Sequence, residues 1–262
     1  MAPSPVPTET AALPAGGAMP LLGFGTWQIT GQQATEAVAA ALTAGYRHLD
    51  TATMYGNETE VGAALRDSGV ARDEVFVTTK LPPERADRAR ETLEQSLSQL
   101  GIDALDLWLL HWPPDGSAVD VWRDMVALRE EGLVRDVGVS NFDLGLLDEV
   151  TEATGTAPAV NQIRWSPLLY DAAVDRGHQE RGIVLEGYSG LKGGTLDDPE
   201  ITRIAGALSR TPAQVIVRWH LQHGFVAIPK SVDPGRIAAN ADVAGFTLSD
   251  EDMAALDALG KG

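Results

Sequence analysis

The chain has 262 residues, 44% hydrophobic and 22% charged, and no cysteine, a globular balance that excludes disulfides, thiol nucleophiles and thiolate metal sites. Its 20 Lys and Arg against 37 Asp and Glu give a formal net charge of −17, so nucleic acid and anionic membrane are repelled. An anionic ligand therefore needs a local cluster of cations, and no apolar run reaches the roughly 18 residues of a membrane span.

The N-terminal stretch MAPSPVPTETAALPAGGAMP has neither a basic n-region nor an apolar h-region and reads as a Pro-rich tail, not a signal peptide. Apolar residues in 13–22, broken by Gly16-Gly17, suit a small hairpin closing the floor of the fold behind it. The expected organisation is a tail and hairpin start over 1–18 and one domain over 19–262. Without cysteines the protein fits a reducing cytoplasm.

From residue 21 onward, short β-rich runs alternate with helix-period segments. Strands are expected at 21–27, 46–50, 75–80, 105–111, 134–140, 159–163, 182–189 and 225–231. Between the first two, Ala34, Ala37, Val38, Ala41 and Leu42 recur at helical spacing, and further on Leu93, Leu97 and Leu100 do so before a terminating Gly101. Thr211-Pro212-Ala213-Gln214 opens a later helix with a capping box, and Gly224 closes it. Eight strand–helix alternations in a single domain of this length point to an α/β fold, a (β/α)8 TIM barrel. The doubly wound dinucleotide fold fits less well, because Gly23-Phe24-Gly25 is followed by Gln28 where its fingerprint needs a third glycine.

A parallel barrel gathers the C-terminal ends of its strands on one face. The expected exits of strands two, three and four carry Asp50, Lys80 and His111, and Tyr55 lies five residues beyond Asp50. An ammonium beside a phenol favours phenolate, lowering the tyrosine pKa toward working pH, so Tyr55 could donate a proton to a carbonyl oxygen as it becomes an alkoxide. Asp50 would hold Lys80 charged and His111 would orient the carbonyl. None of the four supplies a hydride, so carbonyl reduction requires a cofactor. Taken singly, these residues also suit a rim ion pair, a loop aromatic and a satisfied histidine; three successive strands ending in ionisable groups favour a functional site. His48, His178, His220 and His223 read as structural or solvated, His220 and His223 having no evident carboxylate partner. No metal site is expected.

The segments GYRHLDTATMYGNE (45–58), VFVTTKL (75–81), LDLWLLHWP (105–113), VGVSNF (137–142), NQIRWSP (161–167), TPAQVIVRW (211–219) and IPKS (228–231) resemble those of the aldo-keto reductases, in the family's order and spacing from about residue 19 to 260. The small bacterial members that include the diketogluconate reductases look most similar. The resemblance implies a TIM barrel, NADP(H) bound without a Rossmann motif, a small-molecule carbonyl substrate, and a monomer. It places the catalytic tetrad on Asp50, Tyr55, Lys80 and His111. It assigns cofactor contacts to Gly25 and Thr26, to Ser140, Asn141 and Gln162 around the carboxamide, and to Tyr188 against the nicotinamide ring. Ser189 and Leu191, with Lys192 and its glycines, would cover the pyrophosphate. Lys230, Ser231, Val232, Arg236 and Asn240 match the adenosine site; Lys230 and Arg236 supply the cations a 2′-phosphate needs, implying NADPH over NADH. The resemblance also implies that Trp27, Met54 and Trp112 line the substrate pocket.

The chain departs from the family's pattern in three places. Ala239 stands where a glutamate usually precedes the asparagine, Gly190 stands where proline usually follows Tyr-Ser, and the chain stops at Gly262. These imply weaker adenine contact, a more mobile pyrophosphate loop and an open pocket. Two other readings of the residues stay open: a Schiff-base aldolase using Lys80, and a non-enzymatic nucleotide-sensing barrel.

Overall fold

A computed structural model describes residues 6–260. Apolar strand runs separated by amphipathic helices can bury themselves only by stacking strand on strand inside a ring of helices. The strands are β1 (Thr10–Ala12), β2 (Ala18–Pro20), β3 (Phe24–Gly25), β4 (His48–Asp50), β5 (Phe76–Leu81), β6 (Leu105–Leu110), β7 (Val134–Ser140), β8 (Val160–Arg164), β9 (Val184–Tyr188) and β10 (Val226–Ala227). The helices are α1 (Gln32–Thr43), α2 (Glu58–Asp67), α3 (Ala89–Leu100), α4 (Ala118–Glu130), α5 (Leu144–Thr154), α6 (Ala172–Arg181), α7 (Pro199–Leu208), α8 (Pro212–His223), α9 (Pro234–Ala241) and α10 (Asp250–Asp257).

Strands β3 to β10 form one eight-stranded parallel sheet in sequence order. A parallel bridge between Leu22 and Ala227 joins its edges. Gly23 N donates to Ala227 O and Ala227 N to Leu21 O, both at 2.8 Å. This is the (β/α)8 architecture expected from the alternation. β5 and β6 are buried at every position, as strands covered on both faces must be.

The strands that meet at this closure are much shorter than the apolar runs containing them. Pro229 has no N–H to extend the ladder, and a Cβ on Gly25 would stand 2.9 Å from the Ile228 carbonyl oxygen. β3 and the β10 exit can thus approach closely only with glycine there.

The helices follow their stripes. α1 buries Ala34, Ala37, Val38, Ala41 and Leu42. α3 ends at Gly101 in the left-handed conformation, φ 68°. Thr211 and Gln214 cap α8 reciprocally, and Gly224 terminates it at φ 79°. The hairpin forms as β1 and β2, paired antiparallel. It sits at the N-terminal ends of the barrel strands, where Ala15 N donates to Asp136 Oδ1 at 3.2 Å and Met19 is fully buried. The opposite face is left to the site.

Candidate active site

The exits of β4, β5 and β6 bring four ionisable side chains together. Lys80 Nζ donates to both Asp50 carboxylate oxygens at 2.7 Å and to the Thr51 carbonyl at 2.9 Å. The same ammonium lies 3.5 Å from the Tyr55 hydroxyl. The Tyr55 and His111 rings stand edge to face with centroids 5.7 Å apart.

Tyr55 sits on a 3-10 turn, Thr53–Tyr55, that is anchored twice. Thr53 Oγ1 donates to the Lys80 carbonyl at 2.9 Å. Asn57 accepts from Thr51 Oγ1 at 2.7 Å and donates to the carbonyls of Thr26 at 3.0 Å and Ile29 at 2.8 Å. Asn57 therefore ties the loop of Tyr55 to the loop of Trp27. It is itself fully buried.

Burial sets the protonation states. Burial works against the Lys80 charge, but the Asp50 carboxylate and the Tyr55 phenol outweigh it and hold Lys80 above the usual lysine range. Burial also raises Tyr55, against the pull of Lys80. This corrects the expectation of a depressed phenol: one ammonium already shared by two Asp50 oxygens does not offset desolvation. The phenol therefore keeps its proton. Burial, then Lys80, push His111 down to about 3, so its imidazole is neutral. Its Nδ1 is buried without a partner among the described residues.

A cleft of about 690 Å³ opens above these groups. Its walls include all the anticipated positions except Thr26 and Lys80. Lys80 lies beneath the floor, and Thr26 is fully buried with its hydroxyl on the Asp50 carbonyl at 3.0 Å, where it supports the loop without facing the cleft. The Ser140–Asn141–Gln162 set is hydrogen bonded internally. Ser140 Oγ donates to the Gln162 carbonyl at 2.7 Å, Asn141 Nδ2 to Ser140 Oγ at 2.9 Å, and Tyr188 OH to Asn141 Oδ1 at 2.8 Å. Gln162 Nε2 donates to Asp50 Oδ2 at 2.8 Å, which links this wall to the ionisable cluster. Gln28, Asn141 and Ser189 adopt left-handed backbone, with φ of 59°, 63° and 56°. Such conformations in non-glycine residues gather where a site over-determines its backbone.

Farther out, Ser189, Leu191, Lys230, Ser231, Val232, Arg236 and Asn240 line the cleft with Gly25. Lys230 and Arg236 are exposed and make no ion pair among the described residues. Arg236 lies in the first turn of α9, where its N–H caps on Asp233 Oδ1 at 2.8 Å. Lys192 Nζ sits 4.0 Å above the Trp27 ring. Trp27, Met54 and Trp112 stay 44%, 55% and 45% exposed beside Tyr55 and His111, an apolar mouth open to solvent.

Several residues escaped the sequence reading. Glu186 lies buried inside the barrel, two positions before Tyr188, and His48, read as structural or solvated, is buried there too, two positions before Asp50. Strand alternation places i and i+2 on one face and could have found them. Glu58 is also buried, accepting from Thr79 Oγ1 and Ser96 Oγ. His223, thought to lack a carboxylate partner, has Asp257 Oδ1 at 2.9 Å from Nε2; the partner is distant in sequence and arrives with α10.

Known proteins are similar to this chain in sequence and fold. The model of the Aldo/keto reductase family matches residues 21–261. An aldo-keto reductase of Mycolicibacterium smegmatis is 45% identical over 252 residues, 94% of this chain and 92% of that protein. The methylglyoxal reductase DkgA of Salmonella typhimurium is 41% identical, over 94% and 92% of the two chains. A crystal structure of an aldo/keto reductase from Brucella melitensis superposes with a TM-score of 0.92 at 41% identity, covering 97% of this chain and 99% of that one. The aldose reductase of Schistosoma japonicum does so with a TM-score of 0.91 at 32% identity, covering 97% and 94%.

Proposed function

The chain belongs to the aldo/keto reductase family and is an oxidoreductase, and from that premise we propose that it reduces a small aldehyde or ketone with NADPH, Tyr55 serving as general acid. One observation carries the reading: the Lys80 ammonium, locked on Asp50, lies 3.5 Å from the hydroxyl of a phenol that keeps its proton.

The residues present fit a dinucleotide bearing a 2′-phosphate. On a chain of net charge −17, Lys230 and Arg236 stand exposed and unpaired among the described residues at the start of α9. A helix N-terminus and an arginine fork both suit phosphate. Tyr188, half-buried with its hydroxyl fixed on Asn141, offers a ring face to the cleft. When bound, the dihydronicotinamide supplies the hydride to the carbonyl carbon.

Everything else falls to side chains. Tyr55 gives its proton to the oxygen that becomes the alcohol, and Lys80 steadies the phenolate left behind. The neutral His111 imidazole donates an N–H to the same oxygen and fixes its position. Trp27, Met54 and Trp112 exclude water from the reacting carbon and accept the apolar part of the substrate. The likeness to a methylglyoxal reductase supports a small oxoaldehyde as substrate. A Schiff-base role for Lys80 is disfavoured, because an amine held as ammonium by three oxygen contacts has no free lone pair. In this reading residues 19–262 form one catalytic unit that works as a monomer in the cytoplasm, the latter supported by the lack of cysteine.

The test follows NADPH and NADH absorbance with methylglyoxal, other aldehydes and keto sugars. NADPH consumption with weak NADH consumption is expected, and Tyr55→Phe lowers turnover by about 10³-fold while still binding NADPH. Turnover retained by Tyr55→Phe would sink the assignment; NADPH bound but never consumed would favour a sensing barrel.

A further inference from the structure

Inside the barrel, below the cleft, one carboxylate is paired with a cation and a second is not. Asp50 on β4 takes two of the contacts of Lys80 from β5, and the third goes to the Thr51 carbonyl. Glu186 on β9 stands in register with Gln162 on β8 and Val226 on β10. It is fully buried, and among the described residues neither carboxylate oxygen accepts a hydrogen bond of normal geometry, although the Gln162 amide lies beside it. The Gln162 amide donates to Asp50. Across the barrel, His48 Nε2 on β4 lies 3.9 Å from Glu186 Oε1. His48 Nδ1 faces the Pro20 carbonyl at 3.3 Å and must carry that nitrogen's proton, because a carbonyl only accepts. Nε2 therefore keeps its lone pair, toward Glu186 and the Thr78 hydroxyl at 3.2 Å.

A charged carboxylate without partners in this interior would cost several kcal/mol and takes a proton instead. Resting on the roles proposed above for Tyr55 and Lys80, we propose that Glu186 is a positioning acid: protonated, it leaves the Lys80 charge to Asp50 and Tyr55, and ionised, it weakens Tyr55 as the proton donor. The titratable and charged groups whose fields reach it are Asp50, Lys80 and Tyr55, with His48 at 3.9 Å and the Gln162 amide alongside; Val226 of β10 brings none. Burial and then the Asp50 charge push Glu186 up to about 8, against the Gln162 amide and Lys80. Burial holds His48 neutral, near 4. The switch therefore falls just above neutrality.

Glu186→Gln, which copies the neutral acid, tests this against the wild type. In carbonyl reduction, the wild-type kcat should step down several-fold across about pH 8, and the variant's profile should lack that step. The second readout needs no activity. Because the folded-state pKa is raised from 4.5 to about 8, the acid destabilises the fold progressively as pH rises between those values. The Tm advantage of Glu186→Gln should therefore grow from pH 5 to 8 and then level off. A kcat step that persists in the variant, or a Tm difference that does not change with pH, overturns the proposal. Failure of the reductase reading would look different: the wild type would consume no NADPH, or Tyr55→Phe would stay active, while the Tm comparison would still report on Glu186.

Discussion

The two ends of the cleft handle charge in opposite ways. At the deep end Asp50 and Lys80 are 2% and 0% exposed and satisfy each other at 2.7 Å, with Gln162 closing the remaining acceptor. At the outer end Lys230 and Arg236 are exposed and unpaired among the described residues. The difference follows from solvation. A buried charge must find its counter-charge within the protein, whereas an exposed one is held by water until an anion displaces it. The deep end is thus preorganised before any ligand arrives, and the outer end gains its partner only on binding.

The largest expected effect comes from breaking the deep pair. Lys80→Met strands the Asp50 carboxylate, at a cost of about 3–5 kcal/mol. That corresponds to a loss of roughly 10 °C in Tm, and adding Asp50→Asn should restore most of it. A Lys80→Met protein melting with the wild type would mean that the deep end is solvated after all.

Acid should expose the same contrast. His48, His111 and His220 are pushed down to about 4, 3 and 4, in each case chiefly by burial. Their folded values lie below the unfolded one, so the unfolded chain binds protons first as pH falls through about 6.5. Each histidine then removes about 1.4 kcal/mol of stability per pH unit until its folded pKa is reached. Denaturant midpoints measured from pH 7 to 4.5 should fall steeply. A flat series would show that the interior histidines are accessible to solvent.

The smallest effect belongs to the outer end. Arg236→Gln should weaken NADPH about 10-fold by loss of a charge-assisted contact, and move NADH less than twofold. Fluorescence titration measures both, and the gap should narrow with added salt. Equal losses for the two cofactors would place the 2′-phosphate elsewhere.

Much of this was legible in the chain. Short apolar runs ending in Asp50, Lys80 and His111 showed strand exits and chemistry together, and Thr211, Pro212 and Gly224 marked both ends of α8. Strand lengths at the closure were not legible, because the shortening of β3 and β10 depends on how closely Gly25 meets Ile228 across the barrel. Thr26 looked like a wall residue by position, yet its side chain turned to the Asp50 carbonyl. The direction of the Tyr55 shift was also hidden, since it weighs burial against a cation and burial exists only after folding.

By itself the sequence determined the alternation of strand and helix, the residues at the strand ends and a net charge that requires local cations for any anion. Periodicity and residue type are local properties, and they survive being read one residue at a time. Tertiary structure alone decided that Glu186 lies 3.9 Å from His48, 138 positions away, with no hydrogen bond of normal geometry among the described residues. It also decided that Lys80 pairs with Asp50 rather than with Glu186. Those outcomes depend on which strands face each other across the barrel and on how completely water is excluded between them, and only the closed sheet sets both.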